Sequence, residues 1–591
     1  MRDVMVIFMK KMCGFRIFIM FCLILHPSSF ILSAYAADDQ VLKAMDDELG
    51  RSMARLKMDD LAKPYYAAYY VVDSTNTYIS ASFGAILRKT IYASRELAAD
   101  VRIGSRELDN TNYAGSDFQA YKPFSANIPV EDDYNALRFS LWSLTDQAYK
   151  AALEKYSQKK AYMEKKGIKE IYGDLSVEKP EALIEDRVAT GAFETSVWEE
   201  TVRRLSAVFR KYPKIQNSDV NLNHTLRVNR FINSEGSRYR VYGDALSLTI
   251  SAGAQTREGL KINDEMEFNY QLPGAVPGFD ILAARTEEFA GRMSYLVDSS
   301  TAGVYLGPVL FEDQAAAEFF NQLFVENISF VRTIWADNDE SRKWYVDSGA
   351  LTDKLGMRVM APFLSVYDDP LQTQSGGAAL YGSYKIDNEG VRPGKLELVK
   401  NGRLANFYMS RAPVKQFKTS NGHGRGAYDE FFSARPGNVF ILSEKTAPKE
   451  ELKKKLLAMA KELGLEYAII VRRMAGGGSK RLEDLMAKPM LVYKAYVKDG
   501  AEELINGVEF DGVSFRALRD IVLTSDDYYV HNFYQSGPLF YNRADVPAAI
   551  ITPSILVQEM ELKKTEQKPD RLPYLPHPYF GEGKGDKEAG K

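Results

Sequence analysis

The sequence predicts an α+β fold in two domains. The first is a curved antiparallel sheet with helices on one side. The second is larger, mostly antiparallel and β-rich, with a few helices. Three observations carry this expectation. Segments rich in Tyr, Val, Ile and Thr, the composition of strands, fall into groups on both sides of residue 300. Stretches with apolar residues every three or four positions separate them. The small polar run Asp298 to Gly303 marks a boundary between the groups. At 591 residues, 45% hydrophobic and 12% aromatic, the chain can bury more than one core.

In chain order, Val41, Leu42, Met45, Leu49, Met53 and Leu56 recur at helical spacing, which predicts a helix over 40–58. Strands are predicted at 65–73, 77–87 and 91–103, then at 225–230 and 237–251 around the turn Asn233-Ser234-Glu235-Gly236. Between these groups sits a helical insertion over about 134–212. Leu137, Leu141, Leu144, Ala148, Ala152 and Tyr156 form its first stripe, the Lys/Glu-rich run 158–169 reads as its solvated end, and a second helix covers 180–210. A third helix spans 280–296, and another runs from Glu312 to about Asn327. Beyond it, strands are predicted at 357–367, 382–386, 396–399, 404–407 and 439–442, with Lys400-Asn401-Gly402-Arg403 as the clearest hairpin turn. A helix over 449–463 and a strand over 467–472 follow. The expected organisation is a signal peptide over 1–36, an N-terminal domain over 37–300, a C-terminal domain over 301–563 and a disordered tail over 564–591.

The signal reading rests on Lys10, Lys11 and Arg16, the apolar run 17–25 and Ala34-Tyr35-Ala36 at the cleavage positions. His26-Pro27-Ser28-Ser29 breaks the run well short of a spanning helix, so no membrane span is expected after cleavage. The expectation is an exported protein, with the periplasm as the compartment that suits an unanchored chain. Cys13 and Cys22 are the only cysteines, both in the leader, so the processed chain would have no thiol ligand and no disulfide. Four histidines would remain: His224, His423, His531 and His577. The net charge of −3 would become −6, because the leader holds four basic residues and one acidic one. An acidic chain without a basic block argues against nucleic acid as a partner.

Several phrases then resemble the TldD/PmbA family, whose members are two-domain, metallopeptidase-related proteins. The hairpin segment Gly394 to Leu404, the Gly/Arg-rich loop Asn421-Gly422-His423-Gly424-Arg425-Gly426, Arg435 to Ile441 and the closing segment Ile551 to Glu561 occur in the family's order. The active branch carries His-Glu-x-x-x-His on a helix early in its second domain, and a later cysteine completes a zinc site. Matched residue by residue, Glu312 stands for the first histidine, Asp313 for the glutamate and Ala317 for the second histidine, with no cysteine downstream. The resemblance therefore implies the PmbA-like branch, without the zinc motif. It implies no cofactor of this chain's own, zinc only in a partner, and a homologous TldD-like subunit or a second copy as that partner.

Carboxylates at 312, 313 and 318 alone would suit Mg²⁺, Ca²⁺ or Mn²⁺. Acids at a helix start are equally expected from the helix dipole, so no metal ligand is assigned. No Gly-x-Ser-x-Gly elbow lies near a histidine, and Ala475 to Lys480 lacks the spacer of a phosphate loop. His423 reads either as a mobile group facing a central cavity or as an exposed loop histidine; with Asn421, Gly422 and Arg425 it is the candidate substrate-binding segment. The expected function is a zinc-less, non-catalytic subunit of a peptide-processing assembly, gripping extended peptide by main-chain pairing. Two alternatives stand beside it: a peptidase rebuilt around Glu312, Asp313 and His423, and a stand-alone envelope peptide-binding protein.

Overall fold

Very long strands organise the first half. β1 (Pro64–Ser82) and β2 (Ala85–Ile103) form one continuous hairpin, and β3 (Ile215–Asn233) and β4 (Arg238–Gln255) form another. The computed structural model describes residues 39–567 and 570, apart from 116–119, 170–171, 187–192, 272, 302, 333, 339–348, 415–416, 429, 478–483 and 537–544. The expected signal peptide and nearly all of the expected tail lie outside the described residues, although the last strand reaches Lys564. The two strands expected at 65–73 and 77–87 are one strand. Its turn falls at Phe83 and Gly84, both at positive φ, where a chain reversal is cheapest for glycine. Edge pieces 124–127 and 182–184 and strand β5 (Lys261–Tyr270) complete a seven-stranded sheet, antiparallel except for the pairing of 182–184 with β4.

The helices α1 (Gln40–Arg55), α2 (Tyr134–Lys166), α3 (Thr195–Ala207) and α4 (Phe279–Leu296) cover one face of this sheet. Tyr69 and Val71 of β1 pack under α1 and α2, while Ile79 and Ala81 of the same parity pack under α3 and α4. Asp39 caps α1 through Val41 and Leu42 and also accepts from Arg230 and Arg240, which ties the helix to the sheet. Gly167, left-handed, ends α2. Two expectations need correction. The second helix starts at Thr195, not near 180, because residues 182–184 pair with β4. Lys159, expected on a solvated helix end, is buried; its ammonium donates to Asp174 at 2.6 Å and to Thr111 O at 2.7 Å.

In the second half, β6 (Tyr305–Phe311), α5 (Asp313–Leu323), β7 (Leu364–Asp368), β8 (Leu396–Lys400), β9 (Asn438–Ser443), α6 (Lys449–Glu462), β10 (Tyr467–Met474), β11 (Pro489–Tyr496), β12 (Tyr529–Gln535), β13 (Val546–Thr552) and β14 (Ile555–Lys564) are the main elements. One sheet runs 403–404, β8, β7, β9, β13, β12. The other runs 446–447, 521–525, β14, β6, β10, β11, 502–505, with 508–511 also on β14. Antiparallel pairs predominate; β9–β13 and β6–β10 are parallel. The Asn401-Gly402 turn joins β8 to Arg403–Leu404, both turn residues at positive φ. The expected strand at 382–386 is a turn region, and that at 357–367 contracts to β7.

α5 lies between the two sheets. Ala315, Ala316, Ala317, Phe319, Phe320 and Leu323 are all fully buried, against Val309, Phe311 and Val471 on one side and Val439, Ile441 and Ile550 on the other. Three consecutive alanines let a helix fit where both flanks are occupied. Each buried aromatic stabilises by about 2–3 kcal/mol. The two halves meet where Tyr70, on the sheet face opposite the helices, packs against Phe231, Tyr428 and Phe432 at 4.7–5.3 Å between centroids.

Candidate functional site

α5 begins where β6 ends, at the centre of the second half. Glu312 occupies its N-cap position without capping; its carboxylate accepts from Arg472 Nε at 2.6 Å, and Arg472 also reaches Glu502. Asp313 holds a left-handed φ of 49° and pairs with Lys449 at 2.7 Å, which in turn meets Asp527. Burial penalises the charged Lys449, but its bonds to Asp313 and Asp527 outweigh that and raise its pKa. Both acids are therefore neutralised by cations from β10 and α6. Ala317 is core.

One turn further on, the helix buries the third of these carboxylates, Glu318. Glu318 is 2% exposed; Oε1 contacts His531 Nε2 of β12 at 3.1 Å and Oε2 accepts from Gln322 at 2.7 Å and Asn321 at 3.3 Å. His531 stacks on Phe533, rings parallel at 5.1 Å. Gln322 also donates to Ala475 O and accepts from Ala487 N. Glu318 and His531 are separated by 213 positions. No local pattern in the sequence links them.

The Gly/Arg loop forms a second centre. His423 is fully buried, so it is neither an exposed loop histidine nor a free group facing a cavity. Strand-like pairing of Gly424–Arg425 with Ser433–Ala434 closes the loop over it. Its Nδ1 lies 3.0 Å from Asn421 O and 3.1 Å from Asn421 Oδ1, while Nε2 faces Asp368 Oδ1 at 3.6 Å, beyond a hydrogen bond. Asp368 instead accepts from Tyr408 OH, Gly437 N and Asn438 N. The Asn421 side chain bridges Met409 N and Phe407 O. Gly422 has φ +77°, and a Cβ there would sit 2.6 Å from Pro393. Arg425 is buried over Tyr384, 4.5 Å from its ring centre, and donates to Pro436 O. Next to it Asp387 accepts from Gly424, Glu389 and Val391, and Glu389 accepts from Arg411 N at 2.6 Å. Burial and the neighbouring Glu389 charge hold the Asp387 carboxyl well above its usual range; burial raises Glu389 to about 7.

The candidate residues Glu312, Asp313 and His423 thus belong to three different networks. The residues standing for the zinc motif do not fit a zinc ion: one is an alanine in the core and two are carboxylates engaged by cations. Among the described residues, no three His, Cys, Asp or Glu side chains converge as a metal ion would require.

Residues 303–564 match the family model of the PmbA/TldA metallopeptidase C-terminal domain. A metalloprotease of Methanothermobacter thermautotrophicus is 24% identical over 217 residues, 36% of this chain and 43% of that protein. A metalloprotease of Methanocaldococcus jannaschii is 36% identical over 92 residues, 15% of this chain and 19% of that protein. The chain thus spans less than half the length of the curated relatives it matches. The crystal structure of TldE from Thermococcus kodakarensis superposes with a TM-score of 0.56 at 12% identity, covering 88% of this chain and 99% of that one; this likeness is one of fold. Residues 303–564 thus carry the PmbA/TldA metallopeptidase C-terminal domain, and the chain as a whole shares the fold of the TldE structure.

Proposed function

We propose that this chain is an exported, non-catalytic member of a peptide-processing assembly of the metallopeptidase type, acting in the periplasm beside a homologous subunit that holds the zinc. The observation that carries the proposal is the state of α5. Its three motif positions are spent on ion pairs with Arg472 and Lys449 and on core packing. A peptidase rebuilt around Glu312, Asp313 and His423 would need these groups to converge on one scissile bond, and their separate networks weigh against it. The chain's part would be to hold extended peptide by main-chain pairing, which requires no catalytic side chain.

The test has two arms. Purified protein is assayed for metal by mass spectrometry and for peptide cleavage with and without EDTA; substoichiometric metal and no cleavage are expected. Affinity capture from the native envelope should recover a homologue bearing His-Glu-x-x-x-His. One tightly held metal per chain with EDTA-sensitive cleavage overturns the non-catalytic reading. Capture without any such homologue favours a stand-alone peptide-binding protein.

A further inference from the structure

The last turns of α2 hold a lysine in a setting that surface ion pairs do not have. Lys159 is fully buried, the only buried lysine among the described residues, and its partner Asp174 is 1% exposed. The two are 15 positions apart in the chain, with Nζ 2.6 Å from Asp174 Oδ2. Nζ also donates to Thr111 O at 2.7 Å and lies 5.2 Å from the centre of the Trp335 ring. Holding both groups charged in such a place is costly.

The two oxygens of Asp174 have different surroundings. Oδ1 accepts from Asn112 Nδ2 at 3.0 Å and faces Arg332 Nη2 at 3.2 Å, donors that favour negative charge on it. Oδ2 accepts from Asp109 N at 2.8 Å and from the lysine. The Asp109 carboxylate is itself held by Tyr65 OH and by Thr111 N and Oγ1. Burial lowers the Lys159 pKa against the pull of Asp174, while burial, and then the Asp109 charge, raises that of Asp174. Both shifts favour an uncharged amine beside a carboxylic acid.

We propose that Lys159 and Asp174 condense to an internal isopeptide bond between Nζ and Cγ. The proton passes from Nζ to Oδ2 along their hydrogen bond. The freed amine, a desolvated lysine nucleophile still bonded to Thr111 O, attacks Cγ. Negative charge collects on Oδ1, where Asn112 and Arg332 stabilise it. The Cγ–Oδ2 bond then breaks, and Oδ2 leaves as water. Of the three ammonium protons, one stays on the amide nitrogen and two leave with the water, so the step needs no oxidant and no outside proton. A cavity of about 20 Å³ walled by Thr111, Asn112, Asp174 and Arg332 has room for one water. In the product Oδ1 is the amide oxygen and keeps both donors, and the amide N–H keeps Thr111 O.

The bond ties α2 to the segment that joins the two halves of the molecule. Asp174 N and Leu175 N donate to Arg106 O, Ser176 N donates to Arg411 O, and Arg411 Nη2 donates to Ser176 O at 2.6 Å. No cysteine follows residue 22, so this is a covalent staple where no disulfide can form. The inference stands apart from the functional reading, because it uses none of the α5 residues.

Mass spectrometry of the intact, denatured chain, set against its determined N-terminus, should give a mass about 18 Da below the sequence value, the loss of one water. Trypsin should leave Lys159 uncleaved and yield a branched peptide in which Lys159 is joined to Asp174. Lys159→Met keeps most of the side-chain volume and should show the full sequence mass and no branched peptide. Folding of that variant is not required, since the branched peptide of the parent locates the bond by itself. A parent chain at its full sequence mass, whose Lys159 is cleaved by trypsin and acetylated by acetic anhydride after denaturation, overturns the proposal. A mass deficit that persists in Lys159→Met overturns it as well.

Discussion

Replacing Glu389 by glutamine should remove much of the pH dependence of stability near neutrality. Glu389 is partly exposed by area but hemmed in by Arg411, Arg102, Glu178 and the Gly424 backbone. Burial raises its carboxyl from 4.5 to about 7 in the folded chain. The folded state then holds this proton more tightly than the unfolded state does. Between those two values folding takes up a proton, so stability falls as pH rises through that window and is flat on either side. The full difference corresponds to about 3 kcal/mol, and some of it is shared with Asp387. Glutamine keeps the acceptor for Arg411 N, and Arg411 keeps Glu235 at 2.8 Å. Urea unfolding at about pH 5 and about pH 8 reads the effect. The variant should match the parent at the lower pH and exceed it by about 2–3 kcal/mol at the higher one. Equal pH slopes for the two proteins, or a variant less stable at the higher pH, would refute this account.

Ala317→His should destabilise by about 2–4 kcal/mol, since a fully buried alanine between two sheets has room for neither the ring nor its polar atoms, and elemental analysis should find no stoichiometric zinc. Gly402→Ala should lower stability by more than about 1 kcal/mol in denaturant titrations; φ is +74° and the new Cβ would stand 2.6 Å from Met360 O. His531→Leu should cost about 1–3 kcal/mol by removing a partner of buried Glu318, and combining it with Glu318→Gln should recover part of the loss in a double-mutant cycle.

Much of the fold was legible because its signals are local. The α2 stripe, the Asn401-Gly402 hairpin, the 233–236 turn and the 279–296 helix each declare themselves within a few residues. The errors share a cause. Residues 182–184 look helical in their neighbourhood, but pairing with β4 decides otherwise. Lys159 sits in a charged run, yet Asp174 and Thr111 draw it inside. The 65–87 stretch reads as two strands because the polar residues Asp73 to Asn76 interrupt it; Asp73 is held there by Arg95 and Arg230.

The candidate site divides the same way. That α5 cannot supply three zinc ligands follows from residue identity alone: an alanine cannot donate, and no cysteine follows residue 22. What the side chains do instead is a matter of folding. Arg472 reaches Glu312, Lys449 reaches Asp313, His531 reaches Glu318 and the Gly/Arg loop encloses His423, all through partners brought close by the two sheets. Chemical identity and short-range periodicity are properties of the chain. Burial and charge pairing are properties of distance in space, and only the packed sheets set those distances.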